Sequence, residues 1–169
     1  MRNVILYIAT TLDQFIAGPN DELDWLFSPD DFNTEDFTST VDTVLLGRRT
    51  YEVMLKFGQT HYEGMHNFVF SHSLPHQKMV EVVRTPVADF VSQLKKSEGK
   101  SIWLVGGSEI NTILLNAGLV DELILTVHPI YLNKGIPLFK PFDQNLHLSL
   151  LNSKSYPNGA VMLHYAVKK

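Results

Sequence analysis

Apolar positions along the chain fall into two alternating patterns. Residues 4–9 form a continuous apolar run, the signature of a strand covered on both faces. Residues 43–46, 67–70, 79–83 and 102–105 are further short apolar or β-branched runs. Between them, apolar residues recur at helical spacing. Tyr51, Met54 and Leu55 share one predicted face; Val87, Phe90, Val91 and Leu94 share another; Ile110, Ile113, Leu114 and Ala117 mark a third. Ser28-Pro29-Asp30-Asp31 reads as a helix start, with Ser28 as cap and Pro29 in the first turn, and predicts a helix to about residue 40. Thr85-Pro86 predicts a second start of the same kind.

The C-terminal third changes period. Residues 120–128, 146–155 and 161–167 alternate as strands do, and Tyr156-Pro157-Asn158-Gly159-Ala160 supplies a hairpin turn. Residues 129–143 read as loop. Strand–helix repeats followed by a hairpin predict one α/β domain. Its core is a three-layer, mostly parallel mixed sheet with helices on both faces and an antiparallel hairpin at the C-terminus.

Three predicted strands run into segments able to hold an anion. Leu46 leads into Gly47-Arg48-Arg49-Thr50, Phe70 into Ser71-His72-Ser73, and Val105 into Gly106-Gly107-Ser108-Glu109-Ile110. If the strands are parallel, these ends share one sheet edge, where open α/β sheets bind ligands. Each segment has a plain reading as a turn or a solvated helix start. Two arginines at a helix N-terminus nevertheless oppose the helix dipole, which an anion between them would relieve. Together the three ends fit a ligand with more than one phosphate, such as a dinucleotide.

Composition narrows the classes. The chain has 169 residues, 44% hydrophobic and 19% charged, with a formal net charge of −4. An acidic chain without a basic block argues against nucleic acid as a partner. The absence of cysteine excludes disulfides, thiolate metal sites and a cysteine nucleophile. His61, His66, His72 and His76 match no metal-ligand spacing. No apolar run is long enough to span a bilayer, so a cytoplasmic, non-membrane protein is the expectation. The G-x-G-x-x-G fingerprint and the Walker loop are both absent.

Four stretches taken in order resemble one family: 11–17 (TLDQFIA), 46–52 (LGRRTYE), 105–110 (VGGSEI), and Asp121-Glu122-Leu123 through Ile136-Pro137-Leu138-Phe139. The chain resembles the dihydrofolate reductase-like fold. It is more closely similar to the reductase domain (RibD C-terminal domain) of the bifunctional riboflavin-biosynthesis deaminase/reductase and its short stand-alone relatives. The resemblance implies NADPH as cofactor and a pterin- or pyrimidine-like heterocycle as substrate. It places Gly47, Arg48, Arg49 and Thr50 on phosphate, with Arg48 and also Arg49 as candidates for the 2′-phosphate. Ser71, His72 and Ser73 fall at the adenosine, and Gly106 to Ile110 (with Gly107, Ser108 and Glu109) along the pyrophosphate and nicotinamide. Thr10, Ile16 and Gly18 fall on the nicotinamide side. A cis peptide between Gly106 and Gly107 and a homodimer are also implied.

Folate-reducing relatives use a buried carboxylate on their first helix, and Asp30 stands near the matching place. Asp30 reads equally as a helix-start acid, and Trp25 as either a substrate wall or a core residue. Relatives carry Asp-Gly where this chain has Asp13-Gln14, which predicts an ordinary negative φ at Gln14. A non-catalytic nucleotide-binding or regulatory domain on the same fold is the alternative.

Overall fold

The computed structural model describes residues 1–142 and 145–168, so position 143 of the predicted loop lies outside the described residues. Four parallel strands form the centre: β1 (Val4–Thr11), β3 (Val41–Gly47), β6 (Ser101–Gly106) and β7 (Glu122–His128). Beyond β3 lie β4 (His66–Phe70) and β5 (Glu81–Val83), also parallel. Beyond β7, β10 (Val161–Val167) and β9 (Leu148–Ser155) pair antiparallel. The eight-stranded order is β5-β4-β3-β6-β1-β7-β10-β9. A second small sheet joins β2 (Phe15–Ala17) to β8 (Ile136–Pro137).

The helices are α1 (Glu35–Thr38), α2 (Arg48–Lys56), α3 (Val87–Leu94) and α4 (Ser108–Asn116). Period-2 alternation sorts the strand residues between two cores. Leu6, Leu45, Ile102, Leu104 and Leu123 pack with Val91, Ile110 and Leu114 of α3 and α4. Val44, Leu46 and Val69 pack with Tyr51 and Met54 of α2. Sheet and helices therefore form the predicted three layers.

Several local expectations are corrected. The helix predicted from residue 28 to about 40 is broken. A 3-10 turn over Pro29–Phe32 ends at Asn33, whose φ is 47°, before α1 begins. Its thin apolar stripe gives a longer helix too little to bury. Ser28 does accept from the Asp30 N–H. Pro86, not Thr85, occupies the cap position of α3. Leu55 is 40% exposed and Ile113 37%, so neither belongs to the buried face assigned to it. The inner face of α4 carries Asn111, Thr112 and Leu115 instead. Gln14 has φ 64°, contrary to the negative value expected of a non-glycine. Hydrogen bonds around it hold it there. Its N–H donates to the Thr11 carbonyl, and its carbonyl accepts from Leu138 N–H, each within 3.0 Å. The hairpin turn forms as predicted, closed by Tyr156 N–H on the Ala160 carbonyl, with Gly159 at φ 91°.

Among the described residues, no helix is long and apolar enough to cross a membrane.

Candidate active site

The carboxyl ends of β4, β3 and β6 lie side by side, because those strands are parallel neighbours. The three anion-friendly segments therefore share one edge. A cavity of about 2060 Å³ opens there and continues across the sheet. Gly47 and Gly107 hold the cap positions of α2 and α4, and neither helix has a side-chain cap. Two helix N-termini thus present free backbone N–H groups and partial positive charge to one mouth.

Backbone packs closely here. A Cβ at Gly47 would come within 3.4 Å of the Gly106 carbonyl oxygen and the Gly107 nitrogen. A Cβ at Gly107 would stand 3.2 Å from Thr50 Oγ1 and 3.6 Å from Ile16 Cδ1. The peptide between Gly106 and Gly107 is cis, as the resemblance implied. Gly106 is buried beneath the mouth at φ 114°.

The two arginines diverge. Arg48 donates to Ser73 Oγ at 2.6 Å and to Glu52 Oε1 at 2.7 Å, bridging the ends of β3 and β4. Ser71 Oγ accepts from the backbone of Ser73 and Leu74, which fixes the turn that carries His72 and Ser73. Arg49 turns the other way and donates to Asp21 Oδ1 at 2.6 Å. Arg48 alone faces the Ser71–Ser73 turn.

Along α4, Ser108 donates to the Pro137 carbonyl and Asn111 Nδ2 to the Leu138 carbonyl, which clamps the end of β8 and the residue after it to the helix. The Ser108 hydroxyl is occupied by that bond. Glu109 and Ile110 line the mouth, as does Ile16 from β2. Thr10 and Gly18 are buried but do not line the cavity; a side chain at Gly18 would collide with the Glu22 carboxylate.

The far part of the cavity is aromatic. Tyr7, Phe37, Tyr62 and Trp103 line it as one cluster, with Tyr7 and Phe37 centroids 4.6 Å apart and Tyr62 and Trp103 4.7 Å apart. Trp25, Phe27 and Phe32 line it on the β7 side, all packed around His128. Trp25 is both a wall of the cavity and nearly buried, at 7% exposure. Asp30 is exposed and lies outside the lining, so the structure does not bring it to the cavity. It stands in the first turn of the 3-10 segment, as a helix-start acid does.

His128 was not legible in the sequence. It is 1% exposed; its Nδ1 bonds the Thr126 carbonyl at 3.0 Å, and its Nε2 accepts from Phe27 N–H at 3.3 Å. Burial holds its pKa below the ordinary 6.5, although hydrogen bonding to the Thr126 and Thr10 carbonyls works the other way. Burial likewise raises the Tyr7 phenol, partly offset by its bond with the Thr126 side chain. Among the described residues, no group of histidines and acids is arranged to hold a metal ion.

Comparison with known proteins agrees with this architecture. YwjB of Bacillus subtilis (strain 168) is 36% identical over 173 residues, covering 97% of each chain. A crystal structure of a Shewanella sp. PV-4 protein named for riboflavin biosynthesis superposes with a TM-score of 0.87 at 26% identity, covering both chains fully. Dihydrofolate reductase from Enterococcus faecalis, solved with NADP(H), superposes with a TM-score of 0.70 at 19% identity, over 99% of this chain and 97% of that one; at that identity the likeness is one of fold. The RibD C-terminal domain family matches residues 2–162, and the chain belongs to that family.

Proposed function

We propose that the protein is an NADPH-dependent reductase that delivers a hydride to a pterin- or pyrimidine-like heterocycle. The observation that carries this reading is the pair of uncapped helix N-termini, at Gly47 and Gly107, opening onto one mouth beside Arg48. That arrangement suits two phosphates held by backbone N–H groups and a third held by a guanidinium.

The residues fit the cofactor on their own chemistry. Gly47 and Gly107 leave the space that a Cβ would fill, and Thr50 Oγ1 flanks it. Arg48 and Ser73 together offer donors to a 2′-phosphate. Ile16 and the first turn of α4 border the stretch between the mouth and the aromatic chamber. NADPH, when bound, supplies the hydride. The chain's part is to hold phosphate at the strand ends and to shield the acceptor from water within aromatic walls.

The direct test is NADPH oxidation followed at 340 nm with a panel of oxidised pterins, dihydropterins and pyrimidines. Turnover that needs one of these acceptors is the expected result. Cofactor binding without hydride transfer to any of them would favour the alternative, a non-catalytic nucleotide-binding domain. One observation favours that second reading: Asp30 does not reach the cavity.

A further inference from the structure

We infer that the aromatic chamber takes an uncharged planar ring system bearing no phosphate, oriented by neutral hydrogen-bond donors. The inference rests on the reductase reading only in treating this chamber as the place of the hydride acceptor.

The chamber's floor is one face of the sheet. Alternation puts Tyr7 and Ala9 of β1 and Trp103 and Val105 of β6 on that face, and Thr126 of β7 stands directly beside Ala9. The walls are the rings described above. Phe37 meets both Tyr7 and Trp103 edge-on, with its centroid 5.4 Å from Trp103. Ring faces and edges in this arrangement complement another flat π-system.

Charge is absent from this lining. The cavity-lining residues contributed by β1, by segments 23–38 and 53–62, by β6 and by β7 include no Asp, Glu, Lys or Arg. Among the described residues, the charged ones that touch the cavity are Asp21, Arg48, Arg49, Glu52, Glu109 and Lys140. Two pairs among them already satisfy each other, Arg48 with Glu52 and Arg49 with Asp21. A phosphate or a cationic ring entering the chamber would lose its hydration without gaining a counter-ion, and unpaired charges pay heavily for that.

The polar side chains of this lining are uncharged; its hydroxyls and the Gln59 amide both donate and accept, and the Trp25 indole only donates. The half-buried Tyr7 phenol, raised by burial, carries an O–H whose oxygen also bonds the Thr126 side chain. Trp25 lines the same chamber, and its Nε1–H is buried with no partner among the described residues. Buried donors of this kind call for an acceptor. A ring carbonyl or an unprotonated ring nitrogen supplies one.

The test uses the two tryptophans of the chain, both of which line the cavity. Their fluorescence is titrated with lumichrome, riboflavin and flavin mononucleotide; the last two share one ring and differ by one phosphate. Saturable quenching by lumichrome and riboflavin is expected, with flavin mononucleotide at least tenfold weaker. Equal or tighter binding of flavin mononucleotide overturns the inference, as does the absence of saturable quenching by either neutral ring. Tyr7→Phe keeps the ring and removes the donor, and should weaken lumichrome severalfold; unchanged affinity overturns the role of that hydroxyl. NADPH is titrated in parallel. Loss of NADPH binding with the ring preference intact rejects the reductase reading alone. NADPH binding without the preference rejects this inference alone.

Discussion

The backbone N–H of Phe27 donates to Nε2 of His128 at 3.3 Å, and so ties the aromatic wall to the end of a core strand. That bond requires a neutral imidazole with its proton on Nδ1, where it meets the Thr126 carbonyl. The folded-state pKa lies below the ordinary 6.5. The unfolded chain therefore takes up this proton at a higher pH than the folded one. The contribution to stability is complete above about 6.5 and is lost as pH falls below it toward the folded value. Thermal melts of the wild type should shift downward as pH drops from about 7.5 to about 5.5, and His128→Gln should show a shallower dependence. An identical slope in the variant would assign the effect to other groups.

Gly106→Ala should destabilise the protein by about 1–3 kcal/mol, the cost of a residue held in a sparsely populated backbone region. Gly106 sits at φ 114°, and its Cβ would meet Asn111 Oδ1 and Ile8 Cδ1, each at 3.3 Å. Urea denaturation gives the difference directly. A neutral substitution would mean that the strand end relaxes freely.

Gln14→Gly should raise stability by up to about 1 kcal/mol, since glycine occupies the left-handed region without the steric penalty of a Cβ. Gln14 is exposed, so little side-chain packing is lost. Gln14→Val should do the opposite, because a β-branched residue is disfavoured at φ 64°. Denaturant midpoints of the two variants check both directions.

Much of this architecture is legible from residue pattern. Continuous apolar runs such as 4–9 become central strands, because only a doubly covered strand can bury both faces. The glycine-led strand ends become the cavity mouth, because parallel strands bring their carboxyl ends together. What stays hidden is set by contacts between distant segments. The left-handed turn at Gln14 depends on a hydrogen bond from Leu138. The divergence of Arg48 and Arg49 depends on Ser73 on one side and Asp21 on the other. A lone histidine at the end of a strand carries no pattern, yet His128 organises three aromatic walls. Ile113 follows the helical period of buried residues but faces the cavity, a distinction that periodicity does not encode.

The most direct measurement of the central claim is a calorimetric titration of NADPH and NADH into the wild type and Arg48→Ala. Arg48 stands at the mouth, 2.6 Å from the Ser73 hydroxyl and paired with Glu52, and is the arginine on the side of the Ser71–Ser73 turn. The wild type should bind NADPH saturably and more tightly than NADH. Arg48→Ala should cost NADPH about 1.5–3 kcal/mol, the worth of hydrogen bonds to a charged group, while NADH changes little. Failure of both cofactors to bind the wild type, or an equal loss for both in the variant, would contradict the claim.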